Sequence, residues 1–308
     1  MSNNRILVTG AAGQLGSALT AALRNELGAD AVLATDIRKP EKPTTLGKGP
    51  FQELDILSRD DLRNVLKNES IATVYHMAAI KSNEAEKRRA AAWNANVNGL
   101  YNVLDALKEQ ENAKLLFPSS IAAFGPDGGD PRCLYGVSKR TGEMMCGFFR
   151  NRFGLDTRSL RIPGVLSADF EIGGGGLSDF ASEIFKEAAG RKRYGSYLEG
   201  DTEFELIHLS DTIDAMRTLM AAPRTNVELE PVYAIRSFAA SPNRLAEFIR
   251  ERIPDFELSF EIDTARQSVA DSLPTGIDDS AARADWGYEP AYGLERTAGE
   301  LLDGALKG

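Results

Sequence analysis

The chain has 308 residues, 43% of them apolar and 26% charged, with a formal net charge of −9. That length suits one large domain or two intimate ones, and the composition is that of an ordinary globular protein. The acidic balance excludes the basic face that a nucleic-acid or anionic-membrane partner requires, and leaves a small-molecule substrate as the expected partner.

Met1–Asn4 lead straight into the apolar run Ile6–Thr9, with no signal peptide ahead of it. The run reads as a strand. Gly10-Ala11-Ala12-Gly13-Gln14-Leu15-Gly16 follows, opening a helical pattern over Gln14–Leu27. Glycine at such a turn lets the backbone bend and approach a pyrophosphate with no Cβ in the way. The N–H groups of Gln14, Leu15 and Gly16 at the helix start then offer the positive end of a dipole. The spacing is GxxGxxG, and its position between strand and helix makes it a dinucleotide-binding signal. A second strand, Ala31–Asp36, ends on an acid 20 residues after Gly16. Asp36 there accepts hydrogen bonds from ribose hydroxyls and repels a 2′-phosphate, so NAD is expected over NADP, with Arg38 and Lys39 close enough to soften the preference.

Residues 37–52 read as a loop punctuated by Pro40, Pro43, Gly47, Gly49 and Pro50. A helical pattern over Arg59–Lys67 precedes a strand at Ile71–Met77, which ends in Met77-Ala78-Ala79, residues against which a ribose and diphosphate can lie. Asn83–Arg89 is charge-rich and reads as a solvated loop or helix start. Arg88 and Arg89 stand there either as surface charges or as anchors for a substrate anion. Ala91–Glu111 is helical in pattern, and Lys114–Pro118 is a strand leading into Ser119 and Ser120. Ser120, where a parallel sheet delivers its ligands, is the candidate hydroxyl for the substrate oxygen; Ser119 reads as a capping or cofactor neighbour.

A second Gly/Pro-rich loop over 125–133 leads to Leu134–Arg152, a helical stretch that carries Tyr135-Gly136-Val137-Ser138-Lys139. Tyr135 and Lys139 are one turn apart on one face. A nearby ammonium favours the phenolate, so the pair can take a proton from a substrate hydroxyl while a nicotinamide takes the hydride. The strand Asp156–Ile162 closes the series. Short strands alternating with helices predict an α/β fold with a Rossmann, doubly wound parallel sheet.

After Leu166 the rhythm changes. Gly173–Gly176 is a flexible point, and a helical pattern follows to about Ala189. Strand-like pieces at Glu205–Leu209 and Val232–Ile235 are expected to return to the sheet. Residues 1–165 with about 205–238 then form the NAD-binding domain, and 166–204 with 239–308 form a smaller, interleaved substrate-binding domain. His76 and His208 read as packed residues. With no carboxylate or cysteine cluster around them, no metal site is expected. Cys133 and Cys146 form no CxxC and read as reduced thiols in a cytoplasmic protein. No apolar stretch approaches the roughly 18 residues of a membrane span.

The glycine turn, Ser120, Tyr135-x-x-x-Lys139 and Asn96-Val97-Asn98-Gly99 together resemble the extended short-chain dehydrogenases/reductases. A narrower resemblance, carried by Gly13–Gly16, Pro118–Gly125, Arg158–Gly164, Ala270–Pro274, Ile277–Ser280 and Asp285–Gly287, is to the short-chain-type L-threonine 3-dehydrogenases. It implies oxidation of a 3-hydroxyl with NAD. Tyr135 would accept the proton, Lys139 bind the ribose, Ser120 anchor the hydroxyl and Ser82 contact substrate. Pro163 and Gly164 would lie near the nicotinamide. Ile37, Asp55, Ile56, Asn96 and Ser119 join the implied cofactor positions, and Leu177 and Asp179 the substrate positions. Asp179 either orients a substrate hydroxyl or amine or caps a helix. Arg161 pairs either with a substrate carboxylate or with a structural acid. Several substrate-side positions depart from that pattern: two threonines read Leu177 and Ser178, Tyr-Pro-Gly reads Ile162-Pro163-Gly164, and Ser-Trp-Pro reads Ser272-Leu273-Pro274. An alternative is a nucleotide-sugar epimerase or dehydratase that retains its NAD; a further one is a non-catalytic NAD/NADH sensor. Trp93, Leu100, Val103, Leu104, Met144, Met145, Phe148 and Phe149 put apolar residues on more than one face of their helices. Relatives pair these helices in a four-helix bundle, so a homodimer is expected.

Overall fold

The computed structural model describes residues 5–40, 43–168, 176–227 and 232–307. The first half alternates strand and helix: β1 (Arg5–Thr9), α1 (Gln14–Leu27), β2 (Val32–Asp36), β3 (Phe51–Glu53), α2 (Arg59–Asn68) and β4 (Ile71–His76). Then come α3 (Ser82–Lys87), α4 (Arg89–Trp93), a π-helical turn at Asn94–Gly99, α5 (Leu100–Leu107), β5 (Lys114–Ser120), α6 (Leu134–Phe153) and β6 (Asp156–Ile162). All pairings in the main sheet are parallel, in the order β3-β2-β1-β4-β5-β6 with a seventh strand, β10 (Val232–Ala234), beyond β6. The order reverses between β1 and β4, and a ligand crevice opens at such a switch point, beyond the carboxyl ends of the strands.

Burial on both faces explains the apolar runs. Leu7, Leu33, Val74, Leu115 and Phe117 face α2, α5 and α6 on one side. Val8, Ala34, Tyr75, Leu116 and Leu160 face α1 and α8 (Leu209–Ala221) on the other. Strands buried on both faces lose the polar alternation of a half-exposed sheet. The helical stretch expected at 91–111 is broken in the structure. The π turn interrupts it, and the helix ends at Leu107.

The remaining elements are β7 (Gly164–Leu166), α7 (Phe180–Arg191), β8 (Arg193–Ser196), β9 (Phe204–His208), β11 (Phe238–Ala240), α9 (Pro242–Arg252), β12 (Glu257–Phe260), α10 (Thr264–Ala270), α11 (Ser280–Trp286) and α12 (Leu294–Lys307). Here the structure corrects two expectations. β9 does not return to the main sheet. It pairs parallel with β7 and antiparallel with β11 in a separate three-stranded sheet, because Phe204 and Leu206 pack into a second core with Phe180, Ile184, Phe185, Leu245, Ile249 and Leu302. And α11 does not join that core: Ala282, Trp286 and Tyr288 bury against Tyr233 and the α8 side of the first. Most of the Gly173–Gly176 run lies outside the described residues; Gly176 caps the turn before α7.

Candidate active site

One cleft of about 850 Å³ lies beyond the carboxyl ends of β1, β4, β5 and β6, between the main sheet and the second core. Gly10 enters it with φ of +66°, and a Cβ there would sit 2.5 Å from the Ala78 nitrogen. At Gly16 a Cβ would be 2.2 Å from the Gly10 carbonyl oxygen. Both positions need glycine for sterics alone. Helix α1 starts at N-cap Gly13 with no side-chain cap, which leaves first-turn N–H groups without an internal acceptor at the cleft wall. Asp36 Oδ2 accepts from the Ala12 N–H at 3.0 Å, which ties the end of β2 to the turn. These features fit a dinucleotide: an anion-receiving helix start, with a carboxylate beside it.

The rest of the nucleotide side lines the same cleft: Gln14, Leu15, Ile37, Asp55, Ile56, Met77, Ala78, Ala79 and Pro163. The Ile37 side chain is exposed and Ile56 is buried. Asp55 Oδ1 accepts from the Leu57 N–H at 2.9 Å and so shapes its own turn. Asn96 was expected at the cofactor, and the structure places it behind the wall. Its Oδ1 accepts from Ile80 N–H at 2.8 Å, while its Nδ2 donates to Ile80 O at 3.0 Å and to Ser138 Oγ at 3.2 Å. Asn96 thus clamps the segment after β4 to helix α6, and the π turn is what aims it there.

Three consecutive residues at the end of β5 meet three residues of α6 at i, i+4 and i+8. Ser120 hydrogen-bonds the Tyr135 phenol and also accepts from Ala122 N–H at 3.2 Å. The Pro118 carbonyl accepts from Lys139 Nζ at 2.6 Å. Ser119 Oγ donates to Glu143 Oε1 at 2.6 Å. Tyr135 is half-buried, Lys139 and Glu143 fully. Ser119 lines the cleft with its hydroxyl proton given to Glu143. Helix α6 is capped by Cys133, whose Sγ accepts from Gly136 N–H at 3.3 Å.

The electrostatics differ from the expectation that Lys139 acidifies the phenol. Burial pushes Tyr135 up to about 12, with Ser120 opposing the rise. Lys139 does not reach the phenol oxygen: its Nζ is held at Pro118 and lies 5.5 Å from the Tyr135 ring centroid and 4.9 Å from that of Phe117. Burial lowers Lys139 itself to about 8, and Glu143 and Cys146 oppose the fall. Desolvation is the leading cause of both shifts.

On the opposite wall stand Ser82, Leu177, Ser178, Asp179, Ser182, Phe204, Val269 and Leu273. Asp179 accepts from the Gly176 N–H at 2.9 Å and closes the turn that leads into α7. Leu177 is buried. Lys81, which the motifs passed over, lines the cleft beside Ser82; burial lowers its pKa and the Asp179 charge opposes this. Its position immediately before Ser82 was the available signal. Arg88 reaches the cleft, whereas Arg89 pairs with Glu86. Arg161 takes the structural alternative, a two-pronged pair with Glu143 at 2.8 and 2.9 Å.

Both histidines lie buried. His76 Nδ1 is 3.0 Å from Thr9 Oγ1, and burial lowers its pKa to about 3. His208 caps α8 and stacks on Tyr292. Among the described residues no helix is long and apolar enough to cross a membrane.

The model of the NAD dependent epimerase/dehydratase family matches residues 6–235. A Staphylococcus saprophyticus protein described as an uncharacterized epimerase/dehydratase is 38% identical over 99% of this chain and 97% of its own. The L-threonine dehydrogenase of Clostridium difficile superposes with a TM-score of 0.94 at 35% identity, covering 99% of this chain and 98% of that one. A monomeric L-threonine 3-dehydrogenase from a metagenome does so with a TM-score of 0.91 at 33% identity, covering 98% and 99%. By its glycine turn, its seven-stranded sheet and these matches, the chain belongs to the NAD dependent epimerase/dehydratase family.

Proposed function

We propose that the chain is an NAD-dependent dehydrogenase that oxidises the 3-hydroxyl of L-threonine or a related small 3-hydroxy acid and releases NADH. The observation that carries this reading is the convergence of the uncapped glycine turn, Ser120, Tyr135 and Lys139 on one cleft. The likeness to L-threonine dehydrogenases supports the substrate class.

Gly10, Gly13, Gln14, Leu15 and Gly16 would hold the diphosphate. Asp36, with Ile37, Asp55 and Ile56, would hold the adenosine half, and Met77, Ala78, Ala79, Ser119 and Pro163 would flank the remainder, with Lys139 on its ribose and Asn96 as a support. NAD, when bound, supplies the hydride acceptor. Ser120 and Tyr135 orient the substrate hydroxyl, and Tyr135 takes its proton. For the phenol to act as a base its proton affinity has to fall, and the Lys139 ammonium is the protein's own cation for that purpose. Lys81 and Asp179, opposite in charge, suit a substrate that carries both a carboxylate and an ammonium. Ser82 and Leu177 complete that wall, and Leu177 cannot donate the hydrogen bond of a threonine hydroxyl.

The test is a screen for NADH formation with NAD or NADP against L-threonine, L-serine, 3-hydroxybutyrate, small sugar acids and UDP-sugars. Signal with threonine or another 3-hydroxy acid and NAD is expected. Turnover of a UDP-sugar with no net NADH would replace this reading with that of a cofactor-retaining epimerase.

The assembly we propose is a homodimer through α5 and α6, in a cytoplasmic protein. Met144 is 68% exposed, Phe148 56%, Tyr101 40% and Trp93 39%, so these side chains are available to a second copy. Leu100, Val103, Leu104 and Phe149, on other faces of these helices, are core residues. A monomer by light scattering at micromolar concentration would align this chain with its metagenomic neighbour and end the proposal.

A further inference from the structure

Glu143 has no place in the reaction as described, yet it is buried where a carboxylate is costly. It holds three partners at once. Ser119 Oγ donates to Oε1 at 2.6 Å, and Arg161 donates to Oε1 at 2.8 Å and to Oε2 at 2.9 Å. Arg140, more exposed, stands 3.6 Å away. Arg161 and Arg140 also lie over the Phe124 ring at 4.2 and 4.1 Å, so both cations are fixed by packing as well as by charge.

The placement is what matters. Glu143 is one helical turn beyond Lys139, as Lys139 is one turn beyond Tyr135. The residue it grips, Ser119, lies between the Lys139 acceptor Pro118 and the Tyr135 partner Ser120. We propose, on the dehydrogenase reading above, that Glu143 is a positioning residue: it locks the end of β5 onto α6 and sets the charge state of Lys139.

The groups facing Lys139 come from three elements. Glu143, Cys146 and Tyr135 share α6; His76 stands on β4; the Pro118 carbonyl and the Phe117 ring stand on β5. His76 is neutral above about pH 3, and burial raises the thiol of Cys146 to about 12, so neither carries charge near neutrality. Glu143 heads the influences that favour the ammonium, and burial is what opposes it. The Lys139 ammonium is lost as pH rises through about 8. Removing the negative charge moves that loss to lower pH.

The test needs no turnover. The Lys139 side-chain NMR signal, assigned with Lys139→Arg, is followed against pH in the wild type and in Glu143→Gln, which keeps the shape and loses the charge. A downward move of about one pH unit is expected. Glu143→Gln leaves Arg161 unpaired, so the double variant Glu143→Gln/Arg161→Gln serves if the single one does not fold; because the Arg161 cation is lost with the carboxylate, a smaller downward move is expected there. Ser119→Ala keeps the charge and removes only the grip. Its Lys139 titration should stay near that of the wild type, while NADH formation slows. If turnover with 3-hydroxy acids is absent from the wild type, the dehydrogenase reading fails, and the Lys139 titration still decides the role of Glu143. An unchanged Lys139 titration in the folded Gln variants would overturn the proposal.

Discussion

The Gly10–Gly16 turn brings the cleft its glycines and an uncapped helix start, whereas the wall opposite brings it Leu177, Ser178, Asp179, Ser182, Val269 and Leu273. The first wall is local: one strand, one turn and one helix start build it, and Asp36 is tied to it through a single N–H. The second draws chiefly on two segments, 177–182 and 269–273, with Lys81, Ser82 and Phe204 beside them. They are brought together by the second core and braced by Gln267, which accepts from Glu199 N–H and donates to Thr202 and Asp271. Buried Glu205 accepts from Gly276 N–H at 2.8 Å and fixes the end of that segment. The glycine turn suits any dinucleotide and leaves the choice between NAD and NADP to Asp36; the wall opposite carries the substrate choice.

Substitutions can separate the two walls and the chemistry between them. Tyr135→Phe removes the proton acceptor and belongs to neither wall; turnover should fall about 10²–10⁴-fold while NAD affinity, measured by fluorescence, holds. Undiminished turnover would remove Tyr135 from the chemistry. Asp36→Ala acts on the first wall alone. It should weaken NAD roughly 10- to 100-fold, narrow the gap to NADP, and leave kcat at saturating cofactor in place. Lys81→Met acts on the second wall and should raise the substrate KM about tenfold at constant NAD affinity. A change in NAD affinity instead would assign Lys81 to the first wall.

A separate effect is on stability beneath the first wall. An unfolded histidine binds a proton below about pH 6.5, whereas native His76 resists it down to about 3. Protonation therefore favours the unfolded chain throughout that window. The contribution is intact above about 6.5 and erodes as pH falls, by about 1.4 kcal/mol per unit well inside the window. Urea unfolding of His76→Asn should show a shallower acid slope than the wild type; equal slopes would place the acid sensitivity elsewhere.

What could be read from the sequence follows the same division. Strands β1, β2, β4 and β5 carry short apolar runs, β6 mixes buried polar residues with Leu160 and Ile162, and helix α1 was expected over the residues it occupies, because burial on both faces and a glycine turn leave local marks. β3, β7, β8, β11 and β12 are three or four residues long, too short for a period to register. β9 reads as a strand, yet nothing local says which sheet it joins; that choice belongs to Phe204 and Leu206 and to the distant α7, α9 and α12. At the site, Tyr135, Lys139 and Ser120 were visible as motif residues. The capture of Lys139 by Pro118, the grip of Glu143 on Ser119 and the retreat of Asn96 behind the wall depend on how α6 lies against β5. Spacing along one helix cannot report on that.

The central claim is that this cleft passes a hydride from a 3-hydroxy acid to NAD and lets the product go. The most direct measurement mixes cofactor-free protein with excess NAD and the best substrate from the screen, then counts NADH in the ultrafiltrate per subunit. Many equivalents, free in solution and growing with time, are predicted. At most one equivalent, retained with the protein, would contradict the account.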